Sequence, residues 1–585
     1  SENIIFQLLF IYGKKGNMDW LLEKTGIHLK AGPKYARNGC LKERLLTKNR
    51  TMKNYFKLLL FFILCSSCQK NNEIIDMELN YDIIPIPKEI KVIQDNKGLA
   101  FEKKILVFSN QPEIEKLLKV FKKDIKNVSS LNIDFSITSK EDANMVFDIQ
   151  ENYQDEQYSI HVNEKIHIKG GSYRALAMAK SSLLQIINKK NEFLVFPLVE
   201  INDNPDSEYR GLLIDLARMW HDVPTLKNVI DMAAFYKINY LQLHLSDDQS
   251  FTFPMEKFPK IATPDRPYSK QDFRDLVKYA DERGIIIIPE LDVPGHSRQL
   301  VEIYPEIFGV NNGFLQINPW KSNVINIASE EVYSAIDDMI GELVEVFHTS
   351  PYFHIGGDEA NLDLYKNVPE IKAFMKKNGI ENDVHELFRY FLVRMNGIVK
   401  KHNKKMFLWE GFRREGKIEI PRDVVVFEFE TMYHLPNHLI EDGFTVVNTS
   451  WQPLYLVSGG LKQPRSRRAV WSPEKIYSWN IWRWEHWWEN TPVYKKPMQL
   501  EETSQIIGAQ MCSWEQAGEA EIPTLRKRLP VFIERTWNNQ QKIPFEEFFP
   551  RVEKNDLKLS KIINDIRQDT LLLGYDFEGD CLWCD

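Results

Sequence analysis

The chain has 585 residues and a formal net charge of −7, from 75 lysines and arginines against 82 aspartates and glutamates. That length can hold about two to four domains, which excludes a small disulfide-bonded scaffold. With 43% hydrophobic and 27% charged residues, collagen-like and wholly disordered chains are excluded as well. Because no basic block dominates the charge, we expect no nucleic-acid partner.

The first readable element is an export signal over residues 52–68. Lys53 and Lys57 give it a basic start, and an apolar run over residues 58–64 precedes small residues. The apolar run is far shorter than the roughly 20 residues that span a bilayer. The Leu-Cys-Ser-Ser-Cys ending resembles a bacterial lipoprotein processing site with Cys68 as the lipidated residue.

This signal predicts an exported, membrane-anchored lipoprotein in the periplasm or at the cell surface, with the lipid on Cys68. The alternative is ordinary signal-peptidase cleavage, with release of the mature protein. Residues 1–51 lie upstream of a signal that is normally N-terminal. We interpret them as an over-extended, non-native segment and exclude them from the fold.

Residues 80–205 predict a small α+β domain. Short β-rich runs and two segments with apolar residues at helical spacing alternate there. The runs cover residues 104–108, 145–149, 158–162 and 165–168, and the helical segments cover 113–128 and 172–187. A turn-rich stretch at 202–205 marks the boundary.

From residue 206 to about 540, strands alternate with helices, which predicts parallel βα units of the α/β class. The predicted strands are 210–216, 240–245, 285–291, 352–355, 406–409, 424–429, 445–449 and 506–512, and the predicted helices are 225–236, 271–283, 331–347, 384–401 and 523–537. Eight such strands predict a (β/α)8 TIM barrel. An open doubly wound sheet is the runner-up, but no Gly-rich phosphate-binding turn opens a helix. Residues 541–585 predict a helical tail.

Ionisable or aromatic residues follow seven of the eight strands, at the end of a barrel where active sites lie. In chain order they are Arg218; His244, Asp247 and Asp248; Glu290, Asp292 and His296; Asp358 and Glu359; Trp409 and Glu410; Trp451 and Tyr455; Cys512 and Trp514. Carboxylates with aromatic rings suit cleavage of a glycosidic bond. A metal site is the alternative, with His244, Asp247, His296 and Glu359 as conceivable ligands.

Three motifs carry a family resemblance: His354-Ile-Gly-Gly-Asp-Glu359, His244-Leu-Ser-Asp-Asp-Gln249 and Pro289-Glu-Leu-Asp-Val-Pro-Gly-His296. Together they resemble the family 20 glycoside hydrolases, the β-N-acetylhexosaminidases, over about residues 80–540. The resemblance implies an exo-acting enzyme that removes terminal β-linked GlcNAc or GalNAc from glycans without a metal or organic cofactor. It also implies a retaining reaction in which the substrate's own acetamido oxygen is the nucleophile.

The resemblance gives roles to individual residues. Glu359 is expected to be the general acid and then the general base, with a pKa raised by the neighbouring charge of Asp358. Asp358 is expected to orient the acetamido N–H and balance the developing positive charge. The remaining matches are Tyr455, which holds the acetamido oxygen; Trp409, Trp514 and Trp471, which wall the pocket; Arg218, which clamps the 3- and 4-hydroxyls; and Asp247 with His296, which position the acid.

The sequence departs from the family pattern at three positions. Val457 stands where the family often has Asp or Asn, and Gln516 stands where it often has Glu. A tryptophan near strand six is replaced by Phe427 or Phe429. The first two positions are expected to contact the 4- and 6-hydroxyls, and Glu515 can replace the missing carboxylate only if its loop rotates.

An insertion of roughly 50 residues lies between strands seven and eight, on the face where barrel insertions form substrate walls. It carries Trp471, Trp479, Trp482, Trp484, Trp487 and Trp488. We expect some of these rings to stack on the aglycone, the alternative being that they pack the loop onto the barrel. Two other functions stay open: the same site with a different specificity, releasing a disaccharide or a sulfated sugar, and a non-catalytic glycan-binding lipoprotein.

Overall fold

The computed structural model of this chain describes residues 72–310, 323–457 and 471–567. The predicted over-extended segment 1–51 and the signal 52–68 lie outside these residues. Among the described helices, none combines the length and the apolar character that crossing a bilayer requires.

The N-terminal part folds into two β-sheets and two helices. Its strands are β1 (Asn72–Asp76), β2 (Glu89–Val92), β3 (Lys97–Phe101), β4 (Lys104–Ser109), β5 (Asp134–Ile137), β6 (Met145–Ile149), β7 (Tyr158–Val162), β8 (Ile166–Gly170), β9 (Asn188–Lys190), β10 (Phe193–Pro197) and β11 (Val199–Asp203). The helices are α1 (Ile114–Ser129) and α2 (Tyr173–Ile186). One sheet has the order β1-β3-β10-β9, and the other has the order β2-β11-β7-β8-β6-β4-β5. This part is the predicted small domain that precedes the barrel.

Eight parallel strands form a closed barrel. They are β12 (Tyr209–Asp215), β13 (Tyr240–His244), β14 (Ile286–Glu290), β15 (Tyr352–His354), β16 (Lys405–Trp409), β17 (Val425–Glu428), β18 (Thr445–Asn448) and β22 (Ile506–Trp514). Strand β12 pairs with both β13 and β22, so these eight strands close on themselves. The TIM barrel is confirmed, and the open doubly wound sheet is wrong.

Helices surround the barrel and cover the outer faces of its strands, while side chains of the strands fill the interior. They are α3 (Val223–Phe235), α4 (Lys270–Asp281), α5 (Arg298–Ile303), α6 (Pro305–Phe308), α7 (Glu330–Val346), α8 (Pro369–Lys377), α9 (Val384–Lys401), α10 (Pro436–Glu441), α11 (Trp451–Leu454), α12 (Pro473–Ser478), α13 (Gly518–Trp537) and α14 (Phe545–Ile562). Every residue of β12 and β13 is buried, as expected for strands that are covered on both faces.

Two short pairings extend the carboxyl end of the barrel. Strand β19 (Tyr455–Val457) runs parallel to β22, opposite Cys512 to Trp514. Strands β20 (Arg483–Trp484) and β21 (Met498–Gln499) form an antiparallel pair within the insertion. Both lie next to the strand ends where the candidate site residues collect.

The barrel interior is aromatic and continues into the candidate site. Tyr209 stacks on Tyr240 with ring centroids 4.8 Å apart, and Phe427 packs edge-on against Tyr209 at 5.4 Å. The same buried cluster includes Trp409 and Trp514 at the upper end of the barrel. The pocket walls are therefore the top layer of a packed core, which holds them in place.

The helical tail packs back onto the body of the protein. Asp556 of α14 accepts hydrogen bonds from Arg526 Nε and Nη2 at 2.8 and 2.9 Å, and both side chains are buried. Asn555 donates to the backbone carbonyl of Asp82 at 3.1 Å. This helix thus contacts both the barrel helix α13 and the N-terminal segment.

Candidate active site

A glycine turn after β15 brings Asp358 and Glu359 to one space. Gly356 and Gly357 have φ values of +68° and +99°. A Cβ on Gly356 would lie 1.7 Å from Asp292 Oδ1, so only glycine fits against that carboxyl. Glu359 itself has φ +47°, a conformation that is costly for a side-chain-bearing residue and is often found at functional sites. This backbone reverses the alternation of a strand and lets both side chains face the pocket.

The two carboxyls of this pair differ in exposure. The Asp358 side chain is 14% exposed, whereas that of Glu359 is 54% exposed. Among the described residues, Asp358 Oδ1 has no hydrogen-bond partner although it is buried. An acceptor that is buried and unpaired is costly unless something donates to it, so this oxygen is suited to receive a ligand N–H.

His296 lies beside both carboxyls of the pair and closer to that of Glu359. Its Nε2 lies 3.4 Å from Glu359 Oε2 and 3.9 Å from Asp358 Oδ2. Its Nδ1 lies 3.4 Å from Asp247 Oδ2. Burial opposes protonation of His296, but the carboxylates of Asp247 and Asp292 raise its pKa well above the ordinary value. The ring is therefore an imidazolium between two carboxylates.

The prediction that Glu359 has a raised pKa is wrong for the protein on its own. The hydrogen bond and charge of His296 lower the pKa of Glu359. Burial raises the pKa of Asp358 to about 7, and the charge of Glu359 adds to this effect while His296 opposes it. Between these two titrations the pair holds one proton, which burial places on Asp358.

Asp247 is the centre of a buried charge network. Arg218 Nη2 lies 2.6 Å from Asp247 Oδ2, and His244 Nε2 lies 3.0 Å from the same oxygen. Burial would raise the pKa of Asp247, but Arg218 and His296 hold it well below the ordinary value. The predicted link from Asp247 through His296 to the acid is therefore present in the geometry.

Glu290 fixes the orientation of one pocket wall. Its Oε1 accepts a hydrogen bond from Trp409 Nε1 at 2.7 Å, and its Oε2 accepts from Gln242 Nε2 at 2.9 Å and pairs with His244 Nδ1 at 2.8 Å. Burial opposes its ionisation, but His244 and His354 lower the pKa of Glu290 to about 2. The indole of Trp409 is thus anchored to a buried anion.

Aromatic rings line the pocket beside the carboxyl pair. Trp409 and Trp514 have centroids 6.0 Å apart, as do Tyr455 and Trp514. Phe429 stacks on Tyr455 at 5.9 Å and meets Trp409 edge-on at 5.8 Å. Of the two phenylalanines predicted near strand six, Phe429 contacts both Tyr455 and Trp409, whereas Phe427 contacts Trp409 from deeper in the barrel.

The structure places Trp471 away from this ring set. Its carbonyl accepts a hydrogen bond from Arg528 Nε of α13 at 2.7 Å, and its ring packs on the outer core. Within the described residues, no ring contact joins it to Trp409, Tyr455 or Trp514. The fourth ring of the pocket is Phe429, which lies just after strand six and beside Tyr455.

Glu515 and Gln516 have exchanged the orientations that the family pattern implies, because the side chain at 515 rather than that at 516 faces Arg218. Glu515 has φ +53°, and its carboxylate lies 3.9 Å from Arg218 Nε. The buried Gln516 side chain instead donates from Nε2 to the Leu456 carbonyl at 2.9 Å. The left-handed backbone supplies the loop rotation that a carboxylate at 515 requires. Gln516 thus holds the β19 segment through Nε2, and its buried Oε1 has no hydrogen-bond partner among the described residues.

The predicted metal alternative has donors nearby, but they are already engaged. His244, Glu290 and Asp292 form one group of potential ligands, and Asp292, His296 and Asp358 form another. Both nitrogens of His244 face carboxylate oxygens, and its pKa is raised well above the ordinary value against the effect of burial. The two His244 nitrogens are therefore already engaged by the carboxylates of Glu290 and Asp247.

Two acidic residues beside the site were not among those predicted from the sequence. Asp215, the last residue of β12, accepts from Arg218 N at 2.9 Å and from Glu515 N at 3.3 Å. Glu430 has its pKa raised to about 7 by burial and by the charges of Glu359 and Asp358. An acidic residue that ends an apolar strand is a signal that would have found Asp215.

Comparison with known proteins identifies two family domains. The model of the glycosyl hydrolase family 20 catalytic domain matches residues 208–540, and that of domain 2 of the same family matches residues 80–204. A beta-hexosaminidase of Porphyromonas gingivalis is 27% identical over 377 residues, covering 60% of this chain and 48% of that protein. A chitooligosaccharidolytic beta-N-acetylglucosaminidase of Bombyx mori is 27% identical over 421 residues, covering 66% of this chain and 67% of that one. The chain thus spans about half the length of the Porphyromonas relative.

Solved structures agree in fold. An exo beta-N-acetylglucosaminidase of Vibrio harveyi superimposes with a TM-score of 0.69 at 23% identity, covering 86% of this chain and 81% of that one. A beta-N-acetylhexosaminidase of Bacteroides fragilis gives a TM-score of 0.69 at 21% identity, covering 83% and 96%. Since the two family models together cover most of the chain, this protein belongs to glycosyl hydrolase family 20.

Proposed function

We propose that this protein is an exo-β-N-acetylhexosaminidase that removes terminal β-linked GlcNAc or GalNAc by a retaining, substrate-assisted reaction. The observation that carries the proposal is the Asp358–Glu359 pair, with a buried unpaired acceptor on Asp358 beside a pocket of Trp409, Tyr455 and Trp514. An aromatic pocket next to such an acceptor suits an acetamido group, which has an apolar methyl and an N–H. The names of the relatives support the same activity.

The reaction needs only groups on the substrate and these side chains. The acetamido oxygen attacks the anomeric carbon, and the bond to the leaving oxygen breaks as Glu359 gives that oxygen its proton. Asp358 accepts the acetamido N–H and balances the positive charge of the cyclic intermediate, and Tyr455 holds the acetamido oxygen. Water then attacks the anomeric carbon and gives a proton to the Glu359 carboxylate, which opens the ring and restores the acid.

Substrate binding would relocate the single proton of the carboxyl pair. An N–H that donates to Asp358 favours the carboxylate form of Asp358. A leaving-group oxygen beside Glu359 and the exclusion of water favour the neutral form of Glu359. The proton held by Asp358 in the protein alone thus becomes available on Glu359 when the sugar is bound.

The single proton of the Asp358–Glu359 pair predicts how kcat/KM changes at basic pH. We expect kcat/KM to fall by about tenfold per pH unit above pH 7, because the pair loses its one proton as Asp358 titrates at about 7. Steady-state rates across this range would measure this decrease. In Glu359→Gln the residual rate should instead rise as Asp358 ionises. A wild-type profile that stays flat through pH 7 would contradict the assignment.

The rotated carboxylate at 515 predicts where the sugar edge is recognised. Glu515→Gln is expected to raise KM for an N-acetylglucosaminide by about tenfold or more, since a hydrogen bond to a charged group is lost. The same substitution should raise KM much less for a 4-deoxy substrate. Gln516→Met, which removes the bond to Leu456 but no carboxylate, is the matched control. If both variants changed the KM difference between the normal and the 4-deoxy substrate equally, the assignment of Glu515 to the 4-hydroxyl would be wrong.

The activity itself is tested with a chromogenic β-N-acetylglucosaminide and its galacto counterpart. Release of the chromophore, with inhibition by a thiazoline that mimics the cyclic intermediate, is the expected result. Binding of the same sugars without turnover would favour the non-catalytic glycan-binding alternative. Release of only disaccharide units or sulfated sugars from defined glycans would favour the alternative specificity.

We also propose that the mature protein is exported and tethered to a membrane through a lipid on Cys68. The support is the order of basic, apolar and small residues over 52–68. Labelling of expressing cells with a radioactive or clickable fatty acid, followed by purification, should mark the wild type and leave Cys68→Ala unmarked. Labelling of both proteins would contradict a lipid at this position.

A further inference from the structure

The residues proposed to hold the sugar edge come from the first and the last barrel strand. Arg218 lies on the loop between β12 and α3, and Trp514 is the last residue of β22. The Arg218 guanidinium lies over the Trp514 ring, with its Cζ 5.0 Å from the ring centroid. The carboxylate of the next residue, Glu515, lies 3.9 Å from Arg218 Nε. The geometry of these three residues therefore depends on how the loop after β12 is held against the end of β22.

A fully buried pair of side chains joins the same two segments. His221 follows Arg218 by three residues, and its Nε2 lies 3.1 Å from Oε2 of Glu521, in the first turn of α13. Both side chains are 0% exposed. The other oxygen of Glu521, Oε1, accepts a hydrogen bond at 2.6 Å from Oγ of Ser513, which directly precedes Trp514. One carboxyl thus connects the loop that carries Arg218 with the strand end that carries Trp514.

The two side chains of this pair depend on each other. Within the described residues, neither ring nitrogen of His221 forms an aligned hydrogen bond, so the close approach to Glu521 is the polar contact of this ring. Oε2 of Glu521 has no aligned hydrogen bond there either. A buried polar or charged group that loses its partner is strongly destabilising. The pair therefore holds its two segments at a fixed separation.

Other hydrogen bonds fix the backbone of the loop on the side away from β22. Arg266 Nη2 donates to the carbonyl of Arg218 at 3.2 Å. The hydroxyl of Tyr268 donates to the carbonyl of His221. The backbone is thus held from one side, and the His221 side chain holds the loop from the other through Glu521. A change in the second contact is expected to shift the loop relative to β22.

We propose that His221 and Glu521 are positioning residues that set the spacing between Arg218 and the Trp514–Glu515 end of β22, and thereby the affinity for the sugar edge. The proposal rests on the proposed function, in which Arg218 and Glu515 hold hydroxyls of the terminal sugar. Both residues of the pair lie outside the motifs and the site residues predicted from the sequence. Among the described contacts, neither reaches the catalytic carboxyls. Breaking the link should therefore weaken substrate binding and spare the chemical step.

The first test measures KM and kcat of His221→Leu with a chromogenic β-N-acetylglucosaminide and with its 4-deoxy analogue. KM for the normal substrate should rise by about fivefold to tenfold, with kcat changed by no more than about twofold, because hydrogen bonds to the sugar edge are weakened. For the 4-deoxy analogue KM should rise by only about twofold, since one of the hydroxyls is already missing. His221→Gln, whose amide keeps an N–H for Glu521, should recover part of the loss.

His402→Leu is the matched control. His402 pairs with Asp337 at 2.7 Å between the outer helices α9 and α7, so its loss should leave both KM values unchanged. If His221→Leu does not fold, the double variant His221→Leu with Glu521→Gln replaces it, because it leaves no unpaired buried carboxylate and keeps an acceptor for Ser513. The double variant should raise KM no more than His221→Leu does. Multiplied losses would show that the two residues act independently, which contradicts the proposal.

Unchanged KM in folded His221→Leu, or an equal rise for the normal and the 4-deoxy substrate, would overturn the positioning role. A second measurement needs no turnover: calorimetry with GlcNAc in a Glu359→Gln background. His221→Leu should weaken this affinity by about fivefold to tenfold, and an unchanged affinity would also overturn the role. A wild type that binds GlcNAc but releases no chromophore would reject the proposed activity instead. The affinity comparison would still decide the role of His221, so the two failures are distinguishable.

Discussion

Replacing Glu359 by glutamine is expected to lower kcat for an oligosaccharide by about 10²- to 10⁴-fold, the range that a positioned general acid contributes. The amide has nearly the same shape and keeps a hydrogen bond to His296, but it cannot deliver a proton to the leaving oxygen. Rates should be measured over a series of aryl N-acetylglucosaminides whose phenols differ in acidity. The loss should be largest for the poorest leaving group and small for the most acidic phenol.

This dependence on the leaving group separates an acid from a residue that merely shapes the pocket. Glu430→Gln is the matched control, since Glu430 is a neighbouring carboxyl whose pKa is raised to about 7 but to which the mechanism gives no role. It should leave the slope of rate against phenol acidity unchanged. A Glu359→Gln loss that is uniform across the phenols would remove Glu359 as the proton donor.

Asp358→Asn is expected to cost about 10²- to 10³-fold in kcat, as does loss of one group that stabilises charge formed in a transition state. The carboxylate, once it receives the acetamido N–H, is the nearest negative charge to the cyclic cation. Asparagine keeps the size but removes that charge. The measurement pairs kcat with the inhibition constant of a thiazoline, which should rise in parallel.

Thermal unfolding controls for a loss of fold in this variant. Burial already favours the neutral form of Asp358, so an uncharged side chain of similar size should leave the unfolding midpoint close to that of the wild type. A substrate with a less nucleophilic trifluoroacetamido group should slow the wild type strongly and add less to the loss in Asp358→Asn. Unchanged thiazoline affinity in Asp358→Asn would contradict the proposed role.

The barrel strands were predictable because burial on both faces produces runs of apolar residues in the sequence. Strand β14 is an isoleucine run, and the structure ends it at Glu290, where the sequence changes from apolar to ionisable. Several strands of the N-terminal domain were missed for the opposite reason. Strand β9 has the sequence Asn-Lys-Lys, and its pairing with β10 rather than its own composition makes it extended.

The site was predictable only as far as the strand-end rule reaches. That rule, with the motifs, indicated Asp358, Glu359 and Asp247 together, and the structure places them in one network. It could not give the pKa direction of Glu359, which depends on His296 from another strand. It also could not place Phe429 beside Tyr455 or turn Glu515 toward Arg218, because both depend on long-range packing and backbone conformation.

The left-handed backbone at His296, Glu359 and Glu515 lowers the stability of the fold while it positions side chains of the site. Their φ values of +48°, +47° and +53° would suit glycine, and each costs about 1–2 kcal/mol for a residue with a Cβ. At His296 the pairing with buried Asp247 opposes replacement by glycine, so screening for heat resistance alone would favour glycine at Glu359, whose side chain is 54% exposed. In a related protein that no longer hydrolyses sugars, selection for catalysis would no longer oppose this substitution. Glycine at the position of Glu359 would then indicate a barrel that has lost its hydrolytic activity.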